Sequence, residues 1–447
     1  MLEHAALALR RHSREGDADA LATADEIIQT DPLNADAMYI AGTALLRMQQ
    51  KGLAAVLLNA ASQIKPEQGA IWNNLGCALQ EWHPKDAVAV FSAALEREPG
   101  HVEARKNLAA VLGRIGRREE AIALNMELRG ERPDDPDIPY NLALDLLHTS
   151  DWDAAFEAYR YSEGNAQRTV RNYHADKQTP RWERQAGKVV IYGEQGVGDE
   201  ILAASAYPEL LADNTDIDFV FECDPRLESL FRRSFPQATI YGTRGKGVLD
   251  WPVEEKPDAA LISMALFGQE MTPESKPEPW LKPDPVLVNM FRELLGPGLK
   301  IGLSWSGGAT SWDRAERTVP LEVLGPIMTT PDAKVVSLEY VDGPKPEGII
   351  DLSWATRKGV DLDVTAALIA ALDVVVSVPQ TACDIAGAVG TPIRALVSEN
   401  PPWRFAEAAG DAWIWKDVKT YRKEPGSSWM PVVTKLARDL REERGLM

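Results

Sequence analysis

Two hydrophobic periods run along the chain. As far as residue 160, apolar residues recur three and four apart, the spacing of one helix face, in helix-length blocks. Small and large residues stand at matched places in successive blocks. One block has Ala41-Gly42, Leu45, Ala54, Leu58 and Ala61, and the next has Trp72, Leu75-Gly76, Leu79, Ala87, Phe91 and Ala94. A third has Leu108-Ala109, Leu112, Ala121 and Leu128. The blocks close on Pro32, Pro66, Pro99 and Pro133, about 34 residues apart. A first block matches at Leu7-Ala8 and Ala20, and a last runs from Tyr140 through Leu142-Ala143 and Leu146 to Ala155. Small residues let paired helices approach, large ones fill between them, and proline ends the second helix because it has no N–H to donate.

That period, with its terminal proline, resembles the tetratricopeptide repeat (TPR). The resemblance covers 1–160 and predicts an N-terminal TPR α-solenoid of about five repeats, since each helix pair leaves an apolar face that only a neighbour can cover. The concave face of such a solenoid is expected to take a protein or peptide. An array that only docks on its own partner domain is the alternative.

After a linker over 161–187, the period changes. Short β-rich runs alternate with helical stretches, as in a parallel α/β sheet. The runs are Lys188–Tyr192, Asp218–Glu222, Ala238–Tyr241, Ala259–Ser263, Lys300–Trp305, Ala333–Leu338, Val374–Val378 and Ile393–Val397. The intervening helices are expected at Ile201–Ala212, Arg226–Ser234, Leu321–Met328 and Val364–Leu372. The proline-rich, strandless stretch Pro273–Pro297 reads as a linker. Two α/β domains follow from this, at 188–290 and 298–447, with the helix Met430–Arg444 expected to cross back to the first. Ligands of open α/β sheets bind beyond the carboxyl ends of the strands, so the loops after strands carry the candidate chemistry.

Three loops stand out. The first, Gly193-Glu-Gln-Gly-Val-Gly-Asp-Glu200, is neither a Walker loop nor the dinucleotide fingerprint, because its glycines read G-x-x-G-x-G. Asp199 there is either a helix N-cap or a base at the mouth of a cleft. The second runs from Gly302 to Gly308 and on to Pro320. It offers the hydroxyls of Ser304, Ser306 and Thr310. Arg314 and Arg317 either fork onto a diphosphate or pair with Asp313 and Glu316. Trp305 or Trp312 either stacks on a ligand or fills core. The third, Val374–Gly390, leads a buried strand through Pro379 into a small-residue helix. There Gln380, Thr381 and free N–H groups suit a phosphate, unless the turn is merely packed. Asp361-Leu-Asp363 reads as a helix cap.

Composition narrows the chemistry. The 447 residues are 45% hydrophobic with a net charge of −19, which argues against a dedicated nucleic-acid binder. The basic residues Arg168, Arg171, Lys177, Arg181, Arg184 and Lys188 form either a local groove or a solvated linker. Cys77, Cys223 and Cys383 make neither a disulfide framework nor a metal spacing. No signal-peptide core and no membrane span is read, so a cytoplasmic protein is expected. All six histidines lie at or before His174, leaving acid–base work in the later half to Asp, Glu, Tyr, Lys or Cys.

Taken together, the motifs resemble a known family. Glu194-Gln-Gly-Val-Gly-Asp199, Gly302-Leu-Ser-Trp-Ser-Gly307 with Asp313, Arg314 and Arg317, and Ile385-Ala-Gly-Ala-Val-Gly390 carry the likeness, with Pro402-Trp-Arg-Phe405 following. Residues 180–435 resemble the heptosyltransferase group (glycosyltransferase family 9) of GT-B enzymes, and the whole chain resembles TPR-containing glycosyltransferase-like proteins. The resemblance implies a pair of Rossmann-type α/β domains, the first for acceptor and the second for donor. It implies metal-independent, inverting transfer of a sugar from a nucleotide-sugar donor to a protein acceptor, of the flagellin type in bacterial relatives, with no cofactor. Asp199 matches the family's proposed base. Ser304, Trp305, Ser306, Gly307, Arg314, Arg317, Gln380, Thr381, Asp384 and Gly387 would then face the donor, and Glu194, Gln195, Gly196 and Gly198 the acceptor. The family shows Asp-Thr and then His where this chain has Pro379-Gln380 and Asp384. That departure carries the alternative, a non-catalytic protein-binding scaffold with a degenerate GT-B domain.

Overall fold

The computed structural model describes residues 1–149, 151–165, 168, 171–243, 247–248, 256–272, 275–307, 311–406 and 414–443. Its two compact units part between Asp145 and Leu146.

The first unit is an array of antiparallel helices: α1 (Leu2–Leu9), α2 (Arg14–Thr30), α3 (Ala35–Arg47), α4 (Lys51–Ile64), α5 (Gly69–Leu79), α6 (Pro84–Arg97), α7 (Val102–Arg114), α8 (Arg118–Glu131) and the start of α9 (Asp137–Leu146). Each even-numbered helix through α8 stops two residues before its proline, Pro32, Pro66, Pro99 or Pro133. Ser13 and Asn34 cap α2 and α3 by accepting the N–H groups of Gly16 and Ala37, both at 3.0 Å. The small residues do what the pattern requires. A Cβ on Gly42 would sit 2.6 Å from Leu58 Cγ, and one on Gly76 would sit 2.5 Å from Phe91 Cε1. Polar ties run between neighbouring pairs, from Asn74 to Thr43 at 2.9 Å and from Asn107 to Asn73 at 3.0 Å.

In the second unit, α10 (Trp152–Arg160) packs on α14 (Ser263–Glu270), where Phe156 meets Phe267 at 5.8 Å. Two parallel sheets follow. The first has the order β4-β3-β2-β6, from β2 (Lys188–Tyr192), β3 (Asp218–Cys223), β4 (Thr239–Gly242) and β6 (Ala259–Ile262). A short pair, β1 (Arg171–Asn172) with β5 (Gly247–Val248), stands apart. Around the first sheet lie α11 (Val197–Ala203), α12 (Tyr207–Asp213) and α13 (Glu228–Ser234), and Tyr207 stacks on Phe221 at 4.0 Å. The single helix expected over Ile201–Ala212 is two, because Pro208 starts α12 afresh.

The second sheet has the order β11-β10-β9-β7-β8, from β7 (Leu299–Ser304), β8 (Ala333–Ser337), β9 (Val374–Ser377), β10 (Ile393–Val397) and β11 (Val418–Arg422). Its helices are α16 (Ser311–Arg317), α17 (Gly325–Met328), α18 (Ser353–Thr356), α19 (Leu362–Ala370), α20 (Thr381–Val389) and α21 (Met430–Glu443). The core is Ile301, Leu303, Val374 and Val376 of the strands against Val433, Leu436 and Leu440 of α21. So α21 does not cross to the first sheet. Its apolar face is used up by its own.

The expected linker Pro273–Pro297 contains α15 (Pro285–Leu295). Asp284 caps that helix, and Pro285 occupies its first turn, where a missing N–H costs nothing. Upstream, Trp280 is buried and donates its indole N–H to the Ile201 carbonyl at 3.0 Å. Asp361 caps α19, as its spacing suggested, and Asp363 takes Arg233 across from the first sheet's side at 2.7 Å.

Candidate functional site

Strand order marks where a ligand belongs. The first sheet reverses direction of growth between β2 and β6, and the second between β7 and β9. In parallel α/β sheets the crevice opens beyond the carboxyl ends at such a reversal. The loops after β2, β7 and β9 stand there, and they are the three the sequence singles out.

The loop after β2 splits its acids between different tasks. Glu194 is buried, with the Arg168 Nε at 3.2 and 3.3 Å from its two oxygens and the Tyr159 hydroxyl bonded to one of them. Arg168 also lies 4.1 Å over the Tyr159 ring. Glu194 therefore ties α10 and the 161–187 segment to the sheet and does not face an acceptor. Gln195, half-buried, bonds the same Tyr159 hydroxyl at 3.3 Å. Glu200 is buried and accepts the Asp224 N–H at 2.8 Å. Gly196 is the N-cap of α11, and Asp199, three residues on, reaches back to accept its N–H at 3.2 Å. Asp199 thus serves the helix start from the first turn rather than from the cap itself.

The other Asp199 oxygen defines the centre of the site. Arg404 Nη1, from the far side of the crevice, lies 2.6 Å from Asp199 Oδ1, and Arg404 Nε lies 3.2 Å from Asp384 Oδ1. One guanidinium thus holds a carboxylate from each side. Gly198 makes room, because a Cβ there would run into Asp384 Oδ2 and come within 3.6 Å of Arg404 Nη2. Burial raises the Asp384 pKa to about 7, with Arg404 opposing and the Asp199 charge adding. Burial works against the Arg404 charge, but the two carboxylates outweigh it and raise its pKa. Behind Arg404, Trp403 meets Trp152 edge-on at 5.5 Å. The Pro402–Phe405 motif was visible in the sequence, yet only the fold shows that its arginine closes this cluster.

The loop after β7 is occupied by an internal anion. Glu339, buried just after β8, accepts the Ser304 hydroxyl at 2.6 Å and the N–H groups of Trp305 and Ser306 at 2.7 and 2.9 Å. The Ser306 hydroxyl bonds its second oxygen. Groups suited to a phosphate are turned onto a side chain that sequence reasoning passed over. The only signal for it was an acid directly following an apolar strand. Trp305 is buried in the second core, so it fills space rather than stacking on a ligand. Gly307 packs on Val378 and the Pro379 carbonyl. Arg314 is exposed. Arg317 is half-buried, 4.0 Å from Asp313, and burial lowers its pKa, with Asp313 opposing and Arg404 adding. Gly308 and Thr310, together with the side chain of Trp312, lie outside the described residues.

After β9, Gln380 is the N-cap of α20 but does not cap it with its side chain, which reaches the Ser304 hydroxyl instead. Thr381 opens the helix. Gly387 is a packing residue, since any Cβ there would enter the Trp415 indole. Burial pushes the Cys383 thiol up to about 12, so it is no nucleophile near neutral pH. A cavity of about 250 Å³ opens beside the α20 start, between Val197 and Thr381, with Arg226, Arg357, Lys358 and Tyr340 in its walls. Arg226 is paired with Asp224 at 2.9 Å, whereas Arg357 and Lys358 have no acidic partner among the described residues. These cations were not legible as a site in the sequence.

Among the described residues, no group of three or more His, Cys, Asp or Glu side chains is placed to hold a metal ion. No helix among them is long and apolar enough to cross a membrane.

Comparisons bear mainly on the helical array. A tetratricopeptide-repeat family model matches residues 78–143. Protein FlbA of Caulobacter vibrioides is 28% identical over 439 residues, spanning 89% of this chain and 71% of FlbA. Among solved structures, YrrB, described as a TPR protein with an unusual peptide-binding site, is 24% identical, covering 33% of this chain and 76% of its own, with a TM-score of 0.30. A thermophilic TPR protein of Thermus thermophilus, TTC0263, is 17% identical, covering 37% of this chain and 90% of its own, with a TM-score of 0.32. The chain carries tetratricopeptide repeats, followed by parallel sheets with helices.

Proposed function

We propose that the protein is a GT-B-type glycosyltransferase that moves a sugar from a nucleotide-sugar donor to a protein acceptor recruited by its repeats. The observation that carries this reading is the Asp199–Arg404–Asp384 cluster, set where two parallel sheets reverse and beside a cavity with cationic walls. The donor's nucleotide lies in that cavity, beside Arg226, Arg357 and Lys358, and its phosphates reach past the first turn of α20 toward Arg404. Asp199 takes the proton of an acceptor hydroxyl. The hydroxyl oxygen bonds to the anomeric carbon as the carbon–phosphate oxygen bond breaks, and the nucleotide leaves with the electron pair, giving inversion. The sequence likeness to heptosyltransferases supports the same chemistry, and the repeats support a protein acceptor, of the flagellin type by that likeness.

The test is a thermal-shift panel of nucleotide sugars on the full chain, followed by intact-mass analysis of acceptor proteins. Asp199→Asn is expected to keep donor binding and abolish transfer; near-normal transfer by that variant rejects the assignment. The Glu339-filled loop favours a second reading, a binding scaffold without catalysis. On that reading no nucleotide sugar shifts the melting temperature.

A further inference from the structure

Arg404 has two carboxylate partners and one charge. We propose that it is an anion-recognition residue held in reserve: a phosphate-bearing ligand takes its guanidinium, and Asp199 is released into the crevice as a base only then. This rests on the reading above, that the crevice accepts a phosphate-bearing donor.

The two partners are not equivalent. The Asp384 side chain is 2% exposed and that of Asp199 is 28% exposed, so Asp199 is the one a solute can displace. Asp199 meets Arg404 at Nη1 alone, through one oxygen at 2.6 Å, while Nε and Nη2 lie toward Asp384, so a phosphate competes for Nη1 with more negative charge than a carboxylate carries. Displacement does not cast Asp199 adrift, because its second oxygen still accepts the Gly196 N–H at 3.2 Å. The carboxylate stays aimed while losing its cation, so its Oδ1 is free to meet an acceptor hydroxyl.

Arg404 is built to change partners at its tip alone. Its guanidinium lies 5.7 Å from the Trp403 ring, which is wedged against Trp152 and Phe267 at 5.5 and 6.4 Å. Its Nη2 lies 3.5 Å from Asp384 Oδ2, so Asp384 keeps hold of one edge while Nη1 changes partner. Arg317 brings a second positive charge close enough for Arg404 to act on it, and its ion-pair partner Asp313 is 4.0 Å away. Proton removal then waits for the donor, which orders binding as donor first and acceptor chemistry second.

The probe is inorganic pyrophosphate, titrated calorimetrically into the full chain. Asp199→Asn removes the competing charge while its amide oxygen still accepts the Gly196 N–H. It is expected to bind pyrophosphate at least about ten-fold more tightly than wild type, the scale of one charge-assisted hydrogen bond. Arg404→Gln is expected to lose that binding, and Arg404→Lys, with charge but no fork, to fall between. Melting temperatures check folding; if Arg404→Gln unfolds, the Asp199→Asn and Arg404→Lys arms decide. Equal or weaker binding by Asp199→Asn overturns the proposal, as does an absence of binding by every form. Sugar transfer by wild type with no tightening in Asp199→Asn removes the reserve role and leaves the transferase reading standing. Tightening without transfer does the reverse.

Discussion

The Ser304 hydroxyl donates to Glu339 across 2.6 Å, and the N–H groups of Trp305 and Ser306 converge on the same oxygen. A loop that looks made for a ligand's phosphate is satisfied by the protein's own carboxylate. Glu339→Ala would leave these buried donors unmet, and its stability in urea is expected to fall by about 2–5 kcal/mol. Phosphate or sulfate added to the variant is expected to restore part of the loss, and to do little for wild type. No restoration would make the Glu339 contact purely architectural.

Two glycines of one loop are expected to differ in what they cost when replaced. Gly198→Ala drives a methyl group into Asp384 and toward Arg404, and about 1–3 kcal/mol of stability should be lost. Gly196 has φ −66°, open to any residue, and a Cβ there meets only the side-chain end of Asp199, Oδ2, at 3.2 Å. Gly196→Ala should lose less, about 0.5–1 kcal/mol, the difference between glycine and alanine as an N-cap. Thermal unfolding of both variants checks the contrast.

In the array, Gly76 and Phe91 occupy one volume. Gly76→Ala is expected to destabilise by about 1–3 kcal/mol through overpacking, and Phe91→Leu by a comparable amount through lost contact. Together they should cost clearly less than their sum, because the smaller side chain makes room for the methyl group. Additive values in a double-mutant cycle would mean the helices adjust independently.

Asp145 gives the array a pH response. It is buried, and burial lifts its pKa to about 7 from an ordinary 3.8, with Arg118 opposing. Between those values the folded state holds a proton that the unfolded chain has released. Stability contributed by this group therefore falls as pH rises through that window. Asp145→Asn is expected to gain on wild type by about 2–4 kcal/mol between acid and mildly alkaline buffer, read from urea midpoints. A difference independent of pH would contradict the assignment.

The repeats were legible because their information is local. Proline stops and small-residue approaches such as Gly42 under Leu58 recur at fixed spacing, so register follows from the chain itself. Most strands were legible for a similar reason, as buried parallel strands read as unbroken apolar runs. β11, Val-Lys-Thr-Tyr-Arg, was missed because it is an edge strand with only Tyr421 buried, so no apolar run marks it. α15 was missed because Pro285, taken as a linker signal, sits at a helix start. At the site, the positions of Asp199 and Asp384 could be read, but not their shared partner. Arg404 lies 205 residues from Asp199, and nothing in either segment alone reports the other. Glu194 illustrates the converse: an acid in the right loop can be fully consumed by Arg168 behind it.

That clasp of Glu194 by Arg168 and Tyr159 also governs motion. A glycine-rich loop would ordinarily flex by itself, but this one is bolted to α10 through a buried ion pair and a phenol. Loop and helix must therefore travel as one body. Because Asp199 stands only five residues beyond Glu194, the same clasp sets its bearing from behind.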